Sequence, residues 1–346
     1  AGMIIYARHS SISPDLPEMA KLITSLTYKD RICLCTDDME AEDMVHRGHL
    51  DDAINTLVHH GVNVIDAIRM ATLHTASTIH EPWLGAIAPG CVADGVVLKS
   101  MTPFEVDHVI VKGRDVVING ELIQPLPVSA WPLEKRNSMT LEPLTEDLFT
   151  IQAPITNGSV RVNVMVYDTL ISLTTHLETT SMTVDNSRLK FEDPGLHYVA
   201  VINRYGLGAR AVHVVKDTGL LRGAFASTVS HDSHNLVVVY RDPREAILAA
   251  NAVLDQRGGM AAVKDGHVVA RLPLPVAGLM ADVPAHEMAQ GSQSMKTTLR
   301  ELGITEPENP LLRMAMIALP VIPRIKMTDL GCVDTTTQTL IPLFTN

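Results

Sequence analysis

Strand-like apolar runs alternate with helical patterns over the first 80 residues of the sequence. The runs MIIYA and RICLC have the length and composition of buried strands, and the proline-flanked stretch PEMAKLITSLTY between them has the spacing of a helix. Two further helical segments follow RICLC. Parallel strands need long crossover connections, which are usually helices. The alternation therefore predicts an α/β fold with a parallel sheet or barrel.

The two helices after RICLC have predicted faces and ends. The first is predicted around residues 42–60 and is expected to stop at Gly61, because glycine commonly ends a helix. Its apolar face consists of Leu50, Ile54, Leu57 and Val58. The second is expected to begin at Asn63, with Asp66 three positions later in a capping arrangement.

After residue 80 the spacing of apolar residues changes from a helical period to a period of two. The stretches ADGVVLKS and DHVIVKGRDVVINGEL indicate short strands, with tight turns at 112–114 and 119–120. We predict a β subdomain over residues 81–125. A proline-containing stretch without periodicity follows it and predicts a linker at 126–143.

The remainder of the chain, residues 144–346, is predicted to be an α+β domain. The stretches HYVAVINR and NLVVVY indicate strands. A helix is expected to begin at Asp242 and Pro243 and to end near Gly258. The stretch AAVKDGHVVARL predicts a hairpin with an Asp-Gly turn at 265–266.

Composition limits the classes of partner. A chain of 346 residues is too long for one ordinary core and predicts two or three domains. Its formal net charge of −11 argues against nucleic acid and against an anionic membrane surface as partners, and leaves a small neutral substrate open. No apolar run of 18 residues is present, so no membrane span is predicted.

The four cysteines indicate reduced thiols. Cys33 and Cys35 form a C-x-C pair inside a predicted strand, where neighbouring side chains point to opposite faces and are not easily bridged. Together with Cys91 and Cys332 they have no spacing typical of a zinc site. A cytoplasmic location is therefore predicted.

The acidic pair Asp37 and Asp38 directly follows the predicted strand RICLC. In parallel α/β barrels, the loops at the carboxyl ends of the strands form the active-site face. A carboxylate there can bind a metal ion and also hydrogen bond to the reacting group. Position alone leaves an alternative open, in which Thr36 or Asp37 caps the next helix.

Longer stretches of the sequence resemble a known family. The segments CTDDMEAEDMVHRGHLDDAINTLVHHGVNVIDAIRMATLHTASTI and LGAIAPGCVADGVVL resemble the closing part of amidohydrolase-superfamily barrels. The segments RLPLPVAGLM, LPVIPRIKMTDLG and GAFASTVSHDSHNLVVV resemble the C-terminal domain of the bacterial adenine deaminase family. The resemblance covers nearly the whole chain and is weakest between residue 122 and residue 195.

The resemblance implies an α/β fold in three parts. Residues 1–80 would be the last part of a metal-dependent amidohydrolase TIM barrel, 81–125 a β-sandwich subdomain, and 144–346 the family's α+β C-terminal domain. The superfamily's metal ligands are an H-x-H, a glutamate or carboxylated lysine, two later histidines and a last-strand aspartate. The sequence contains no H-x-H. Asp37 matches the last of these ligands, so its partners are expected upstream of Ala1.

The resemblance also implies a reaction, the hydrolysis of adenine to hypoxanthine and ammonia at a binuclear site that holds manganese or iron. Asp37 would be a metal ligand and the catalytic group that moves a proton from the attacking water to the departing ammonia. Asp38 would contact the purine or orient its neighbour, and a solvated or capping acid is the alternative. Because one carboxylate cannot hold two metals, the chain alone is predicted to be inactive. A homodimer stays open.

The densest polar cluster of the sequence is SHDSHN at 230–235, directly before the predicted strand NLVVVY. Such a run can bind metal, contact substrate or form a hydrogen-bonded knot within the fold. On the resemblance, we expect the cluster to contact substrate or to support residues that do, at the barrel mouth. Its candidate residues are His231, Asp232, His234 and Asn235.

One loop departs from the family pattern. Where the family has approximately R-E-G-S, this chain has Arg8, His9, Ser10 and Ser11, so it keeps the arginine and lacks the acid and the glycine. A changed loop at the site would change specificity or activity. Two rival hypotheses therefore stay open: another metal-dependent amidohydrolase acting on a different cyclic amidine or amide, and a non-catalytic remnant or regulatory subunit.

Overall fold

The fold is a mixed α/β arrangement in two compact units, residues 1–130 and 131–346. It is known from a computed structural model, which describes residues 2–11, 15–123, 137–306 and 309–345. Most of the predicted linker, its residues 126–136, lies outside the described residues. The finer domain boundaries expected from the sequence therefore stay predictions.

The first unit begins with strand–helix alternation. Its first elements are β1 (Ile5–Arg8), α1 (Leu16–Ser25), β2 (Ile32–Cys35), α2 (Ala41–His46), α3 (Leu50–His59), α4 (Val64–Ala71) and α5 (Leu73–Thr78). β1 and β2 pair in parallel, with Ile5 opposite Ile32 and Arg8 opposite Cys35. The helices cover the pair with a core that includes Leu16, Ile54 and Leu57. The described strands form no closed barrel.

The prediction of one helix around residues 42–60 is wrong, because the segment forms α2 and α3. Gly48 separates them with a φ of +106°, a left-handed value that cannot continue a helix. A Cβ at Gly48 would lie 2.6 Å from Asp51 Oδ2. That carboxylate also accepts a hydrogen bond from the backbone N–H of His49 at 2.7 Å, and so starts α3. The predicted end is confirmed, since Gly61 follows α3 with a φ of +91°.

A small antiparallel sheet completes the first unit. Its strands, in spatial and chain order, are β3 (Gly95–Met101), β4 (Phe104–Val111), β5 (Arg114–Ile118) and β6 (Glu121–Leu122). Both predicted turns are confirmed. Positive φ values occur at Lys112 and Gly113 and again at Asn119 and Gly120, as two-residue hairpin loops require.

The second unit is built on a ten-stranded sheet. Its strands are β7 (Gly158–Tyr167), β8 (Thr175–Asp185), β9 (Arg188–Leu189), β10 (Leu196–Ile202), β11 (Arg210–Lys216), β12 (Ala224–Ser227), β13 (Leu236–Tyr240), β14 (Gly259–Lys264), β15 (His267–Pro273) and β19 (Phe344–Thr345). The spatial order is β15-β14-β12-β13-β10-β11-β7-β8-β9, and β19 pairs with β7. β7 and β11 are parallel, and the other pairs of this sheet are antiparallel.

Helices and a second small sheet cover the two faces of the large sheet. The remaining elements are α6 (Pro243–Asp255), α7 (Ala285–Glu301), α8 (Pro310–Ala315), β16 (Ile325–Thr328), β17 (Gly331–Asp334), β18 (Thr339–Ile341) and a 3₁₀ turn (Glu146–Leu148). One core contains Tyr198 of β10 with Ala246 of α6. The other contains Val199 of β10 with Leu299 of α7 and Met314 of α8. Neighbouring residues of β10 thus enter opposite cores, which explains why the whole strand is apolar and buried.

The local predictions for this unit are confirmed. Asp242 caps α6, because its side chain accepts a hydrogen bond from the Arg244 N–H at 2.9 Å. Asp265 and Gly266 have φ values of +52° and +75° in the turn between β14 and β15. Within the described residues, none of the helices combines the length and the apolar character that a bilayer crossing requires.

Two buried histidines of the large sheet are expected to make the stability of the second unit sensitive to acid. Burial lowers the pKa of His197 and of His213 to about 4. The unfolded chain, with ordinary histidine pKa values, then binds protons that the folded state excludes. Their contribution to stability is complete above the unfolded pKa and falls as pH drops toward 4, by about 1.4 kcal/mol per pH unit for each histidine.

Denaturant unfolding between neutral pH and about pH 5 measures this loss. The double variant His197→Gln/His213→Gln is expected to show a shallower pH dependence than the unchanged chain. The difference in slope should approach two protons, one for each histidine removed. Equal slopes would show that neither imidazole excludes protons in the folded state.

Candidate active site

The carboxyl ends of β1 and β2 lie at one edge of the parallel pair, and the loops that follow them are joined by backbone hydrogen bonds. The N–H of His9 donates to the carbonyl of Cys35 at 2.9 Å, and that of Ser11 to the carbonyl of Asp38 at 3.0 Å. Parallel pairing therefore brings residues 9–11 beside residues 36–38. We call this group the carboxyl-edge cluster.

Asp37 is held from two sides within the carboxyl-edge cluster. Its Oδ2 accepts a hydrogen bond from Arg8 Nη1 at 2.8 Å, and its Oδ1 accepts one from the Asp38 N–H at 2.8 Å. Arg8 also donates through Nη2 to Asp15 Oδ2 at 3.0 Å. Hydrogen bonds to Asp37 and then to Asp15 raise the pKa of the Arg8 guanidinium. The Asp37 side chain stays 45% exposed, so solvent and small molecules can reach it.

The capping alternative for residues 36 and 37 does not describe this loop. α2 begins at Ala41, and its N-cap position is Glu40, whose N–H donates to Ser11 Oγ at 2.9 Å. Thr36 instead pairs through Oγ1 with His49 Nε2 at 3.1 Å. The residues after β2 thus contribute to the carboxyl-edge cluster rather than to the start of a helix.

A second group of polar side chains includes His9 of the carboxyl-edge cluster together with Arg47 and Asp52. The sequence did not predict it. His9 is buried, and its Nε2 lies 2.8 Å from Asp52 Oδ2. Arg47 Nη2 donates to the same carboxylate oxygen at 3.0 Å. The stretch RGHLDD at the break between α2 and α3 supplies this arginine and this aspartate. Only the folded chain shows that they meet His9, which lies 38 residues before Arg47 and 43 before Asp52.

The 230–235 cluster forms the connection between β12 and β13 in the second unit. His234 has a φ of +50°, and its N–H donates to the Ser230 carbonyl at 2.7 Å. The Ser230 N–H points back to His234 Nδ1 at 3.3 Å. The rings of His231 and His234 lie 5.2 Å apart. Asp232 is largely exposed, whereas Asn235 is buried. Part of the cluster is thus a local hydrogen-bonded turn.

A buried arginine that sequence reasoning did not single out holds this turn in place. Arg204 is 1% exposed, and its Nε donates to the His234 carbonyl. Its Nη1 donates to Ser138 Oγ, and its Nη2 to the Ala277 carbonyl at 2.9 Å. Burial lowers the pKa of Arg204. Arg204 therefore ties three separate segments of the second unit together around the turn.

Two family profiles match this chain. Residues 172–339 match the adenine deaminase C-terminal domain, and residues 5–116 match the amidohydrolase family. Adenine deaminase of Moorella thermoacetica is 37% identical over 348 residues, a match that covers 99% of this chain and 58% of that protein. The chain is a homologue of the adenine deaminases. Those of Bdellovibrio bacteriovorus and Shigella flexneri are 36% and 35% identical and are covered over 57% and 55% of their length.

The chain thus spans less than two thirds of the adenine deaminases that it matches. The amidohydrolase match includes the carboxyl-edge cluster with Asp37 and Asp38. The adenine deaminase C-terminal match includes Arg204 and the 230–235 cluster. The two groups of candidate residues therefore lie in different units, each within its own family match.

Asp37 is the one metal ligand predicted in this chain, and the described residues alone do not complete a binuclear metal site. No group of three or more histidine, cysteine, aspartate or glutamate side chains is arranged to hold a metal ion in the described ranges. In addition, Arg8 occupies one oxygen of Asp37 with an ion pair. A cation beside a metal ligand would repel the metal.

Proposed function

We propose that this chain is part of an enzyme that hydrolyses adenine to hypoxanthine and ammonia. The observation that carries the proposal is the match to adenine deaminases over 99% of the chain. The position of Asp37 supports it, because this carboxylate is exposed at the carboxyl edge of a parallel strand pair. That edge is where α/β enzymes of this architecture carry their reacting groups.

Asp37 is the proposed proton carrier of this reaction. Water adds to the purine carbon that bears the amino group, and the amino group leaves as ammonia. A carboxylate within reach can take a proton from the attacking water and return it to the departing nitrogen. The contacts of Asp37 with Arg8 and with the Asp38 N–H fix its orientation for this task. The role of Asp38 as a purine contact is part of the same proposal.

The proposed architecture follows the amidohydrolase pattern. β1 to α5 would be the last part of a TIM barrel, and β3 to β6 a β-sandwich segment. The second unit would be the C-terminal domain of the family. Strand–helix alternation with parallel β1 and β2, followed by an antiparallel sheet, supports this assignment. Manganese or iron as cofactor stays a prediction from the resemblance, and a cytoplasmic location stays a prediction from the cysteines. A homodimer stays open.

Hypoxanthine and ammonia formation from adenine tests the proposal. The assay compares the 346-residue chain with a longer polypeptide that contains it, and includes other cyclic amidines and amides as substrates. Equal amounts of ammonia and hypoxanthine from adenine support the proposal. Faster turnover of another substrate would favour a different amidohydrolase. If the longer polypeptide formed no product from any substrate, the non-catalytic alternative would be favoured. The prediction that the chain alone is inactive is decided in the same assay.

The 230–235 cluster carries a separate prediction. We expect His234→Asn to lower kcat/KM for adenine by about tenfold, the effect of losing roughly one hydrogen bond, with little change in melting temperature. Asparagine is chosen because it tolerates the positive φ of His234. His231, Asp232 and Asn235 are assigned the same role of contacting substrate or supporting residues that do.

Turnover and melting temperature are measured on the same samples of the active polypeptide. His267→Asn is the matched control, because this exposed histidine also lies in the second unit and starts β15. A lower melting temperature with unchanged turnover per folded molecule would assign the cluster to stability alone.

A further inference from the structure

A cleft of about 330 Å³ opens beside the first turn of α6 in the second unit. Its apolar wall consists of Phe149, Ile151, Leu189, Tyr198 and Pro243. The volume lies within the range of small-molecule sites, about 300–1,000 Å³. The cleft is thus large enough for an organic ligand, and the apolar wall would cover one side of it.

The charged side chains that line this cleft are mainly cationic. They are Arg188, Arg241 and Arg244, with Asp242 as the single carboxylate among the lining residues. Asp242 pairs with Arg244 at 2.8 Å and leaves the other two guanidinium groups without it. The cleft therefore carries excess positive charge in a chain whose formal net charge is −11.

The described residues place no carboxylate closer than 3.8 Å to either of the other two arginines. Arg241 donates to the backbone carbonyls of Phe191 and Pro194 at 2.8 and 3.3 Å, which fixes its position. Asp193 offsets only part of its charge, because the pKa of that carboxyl is lowered mainly by Lys216 and less by Arg241. Arg188 approaches Glu146 at 3.8 Å only, with a side chain that is 59% exposed. An anion in the cleft would meet one fixed guanidinium and one that is free to turn toward it.

A tyrosine that can donate a hydrogen bond also lines this cleft. Tyr198 is 7% exposed, and its ring packs between Phe191 at 4.6 Å and Tyr240 at 5.4 Å. Its hydroxyl makes no hydrogen bond to any residue in the described part of the chain and stays within reach of solvent. It can therefore donate to an oxygen of a ligand in the cleft.

We propose that this cleft binds a small phosphate-bearing molecule. Guanidinium groups recognise phosphate oxygens through paired, charge-assisted hydrogen bonds. Arg188 and Arg241 would bind the phosphate, and Tyr198 would donate its hydroxyl to it. Inorganic phosphate and an organic phosphate monoester share this chemistry. The proposal concerns residues of the second unit only and does not depend on the deamination of adenine.

Calorimetric titration of the 346-residue chain with AMP, inorganic phosphate and adenosine tests the proposal. AMP and phosphate are expected to bind, more weakly as salt is raised, and adenosine is not. Tighter binding of AMP than of phosphate would assign an organic phosphate, and equal binding would assign the free ion. Adenosine binding as tightly as AMP, or no binding of either phosphate at millimolar concentration, overturns the proposal.

Two variants locate the binding. Arg188→Gln is expected to weaken AMP binding about tenfold, as expected for one charge-assisted contact, and Tyr198→Phe to weaken it severalfold. Arg210→Gln is the matched control, because Arg210 is exposed at the start of β11 and does not line the cleft. Melting without ligand confirms that each variant is folded. Unchanged affinity in a folded Arg188→Gln chain overturns the assignment.

Discussion

Replacing Asp37 by asparagine is expected to reduce adenine turnover at least about 100-fold, the scale of a lost general acid or base. The experiment requires a polypeptide that contains this chain and deaminates adenine. Asparagine keeps the size of the side chain, and its single oxygen can still accept the hydrogen bond from the Asp38 N–H, whereas its NH2 group cannot accept the one from Arg8. It cannot take up a proton from water. Turnover should therefore fall while the local structure is kept.

Steady-state kinetics and thermal melting of the same preparation separate chemistry from folding. Little loss of stability is expected, because Arg8 keeps its second partner, Asp15, and exposed ion pairs contribute only about 0–1 kcal/mol. Asp30→Asn is the matched control, an exposed aspartate shortly before β2. Near-normal turnover of the Asp37→Asn variant would remove Asp37 from the proposed chemistry.

The local elements were predictable where a short stretch carries its own signal. The Asp-Gly turn at 265–266, the Asn63 cap and the Asp242 cap depend on residues close together in the chain, and the structure has all three. The helix around 42–60 was mispredicted for a related reason. The helical spacing of its apolar residues continues across Gly48. The hydrogen bond from the His49 N–H to Asp51, which starts α3, leaves no trace in that spacing.

The order of strands in the large sheet could not be predicted from the sequence. β7 pairs in parallel with β11, with three strands between them in the chain, and β10 lies between β11 and β13. Such pairings depend on contacts between residues far apart in sequence, and no local pattern specifies them. The apolar character of β10 indicates a buried strand but does not identify its neighbours.

At the candidate site, too, some features were predictable from the sequence and others were not. The strand-end position of Asp37 was readable from RICLCTDD, and its ion pair with Arg8 follows from the parallel register that brings the two strand ends together. Arg204 was not found, because arginine is usually exposed and the sequence gives no sign that this one is buried. Its three partners come from segments up to 73 residues away, which only the folded chain brings together.

A second buried arginine carries the largest expected effect on stability. Arg313 of α8 is fully buried, and its guanidinium lies 4.0 Å from the ring centre of Tyr167. Its nitrogens donate to five backbone carbonyls, those of Thr169, Leu170, Ser172, Asp217 and Thr218. Arg313 therefore joins the loop after β7 to the loop after β11. Burial lowers its pKa, and the carbonyl oxygens offset part of the lost hydration.

Arg313→Met is expected to lower the free energy of unfolding of the second unit by at least about 3 kcal/mol, because it leaves five carbonyls without this donor. Arg313→Lys keeps the charge but has fewer donors, so its loss should be intermediate. Hydrogen exchange of the β10 and β13 amides measures the effect within this unit, since a chain of two units need not unfold in one step. The control Arg210→Met removes an exposed arginine and should change exchange little. Equal protection in the Arg313→Met and Arg210→Met chains would show that water replaces the buried guanidinium at no cost.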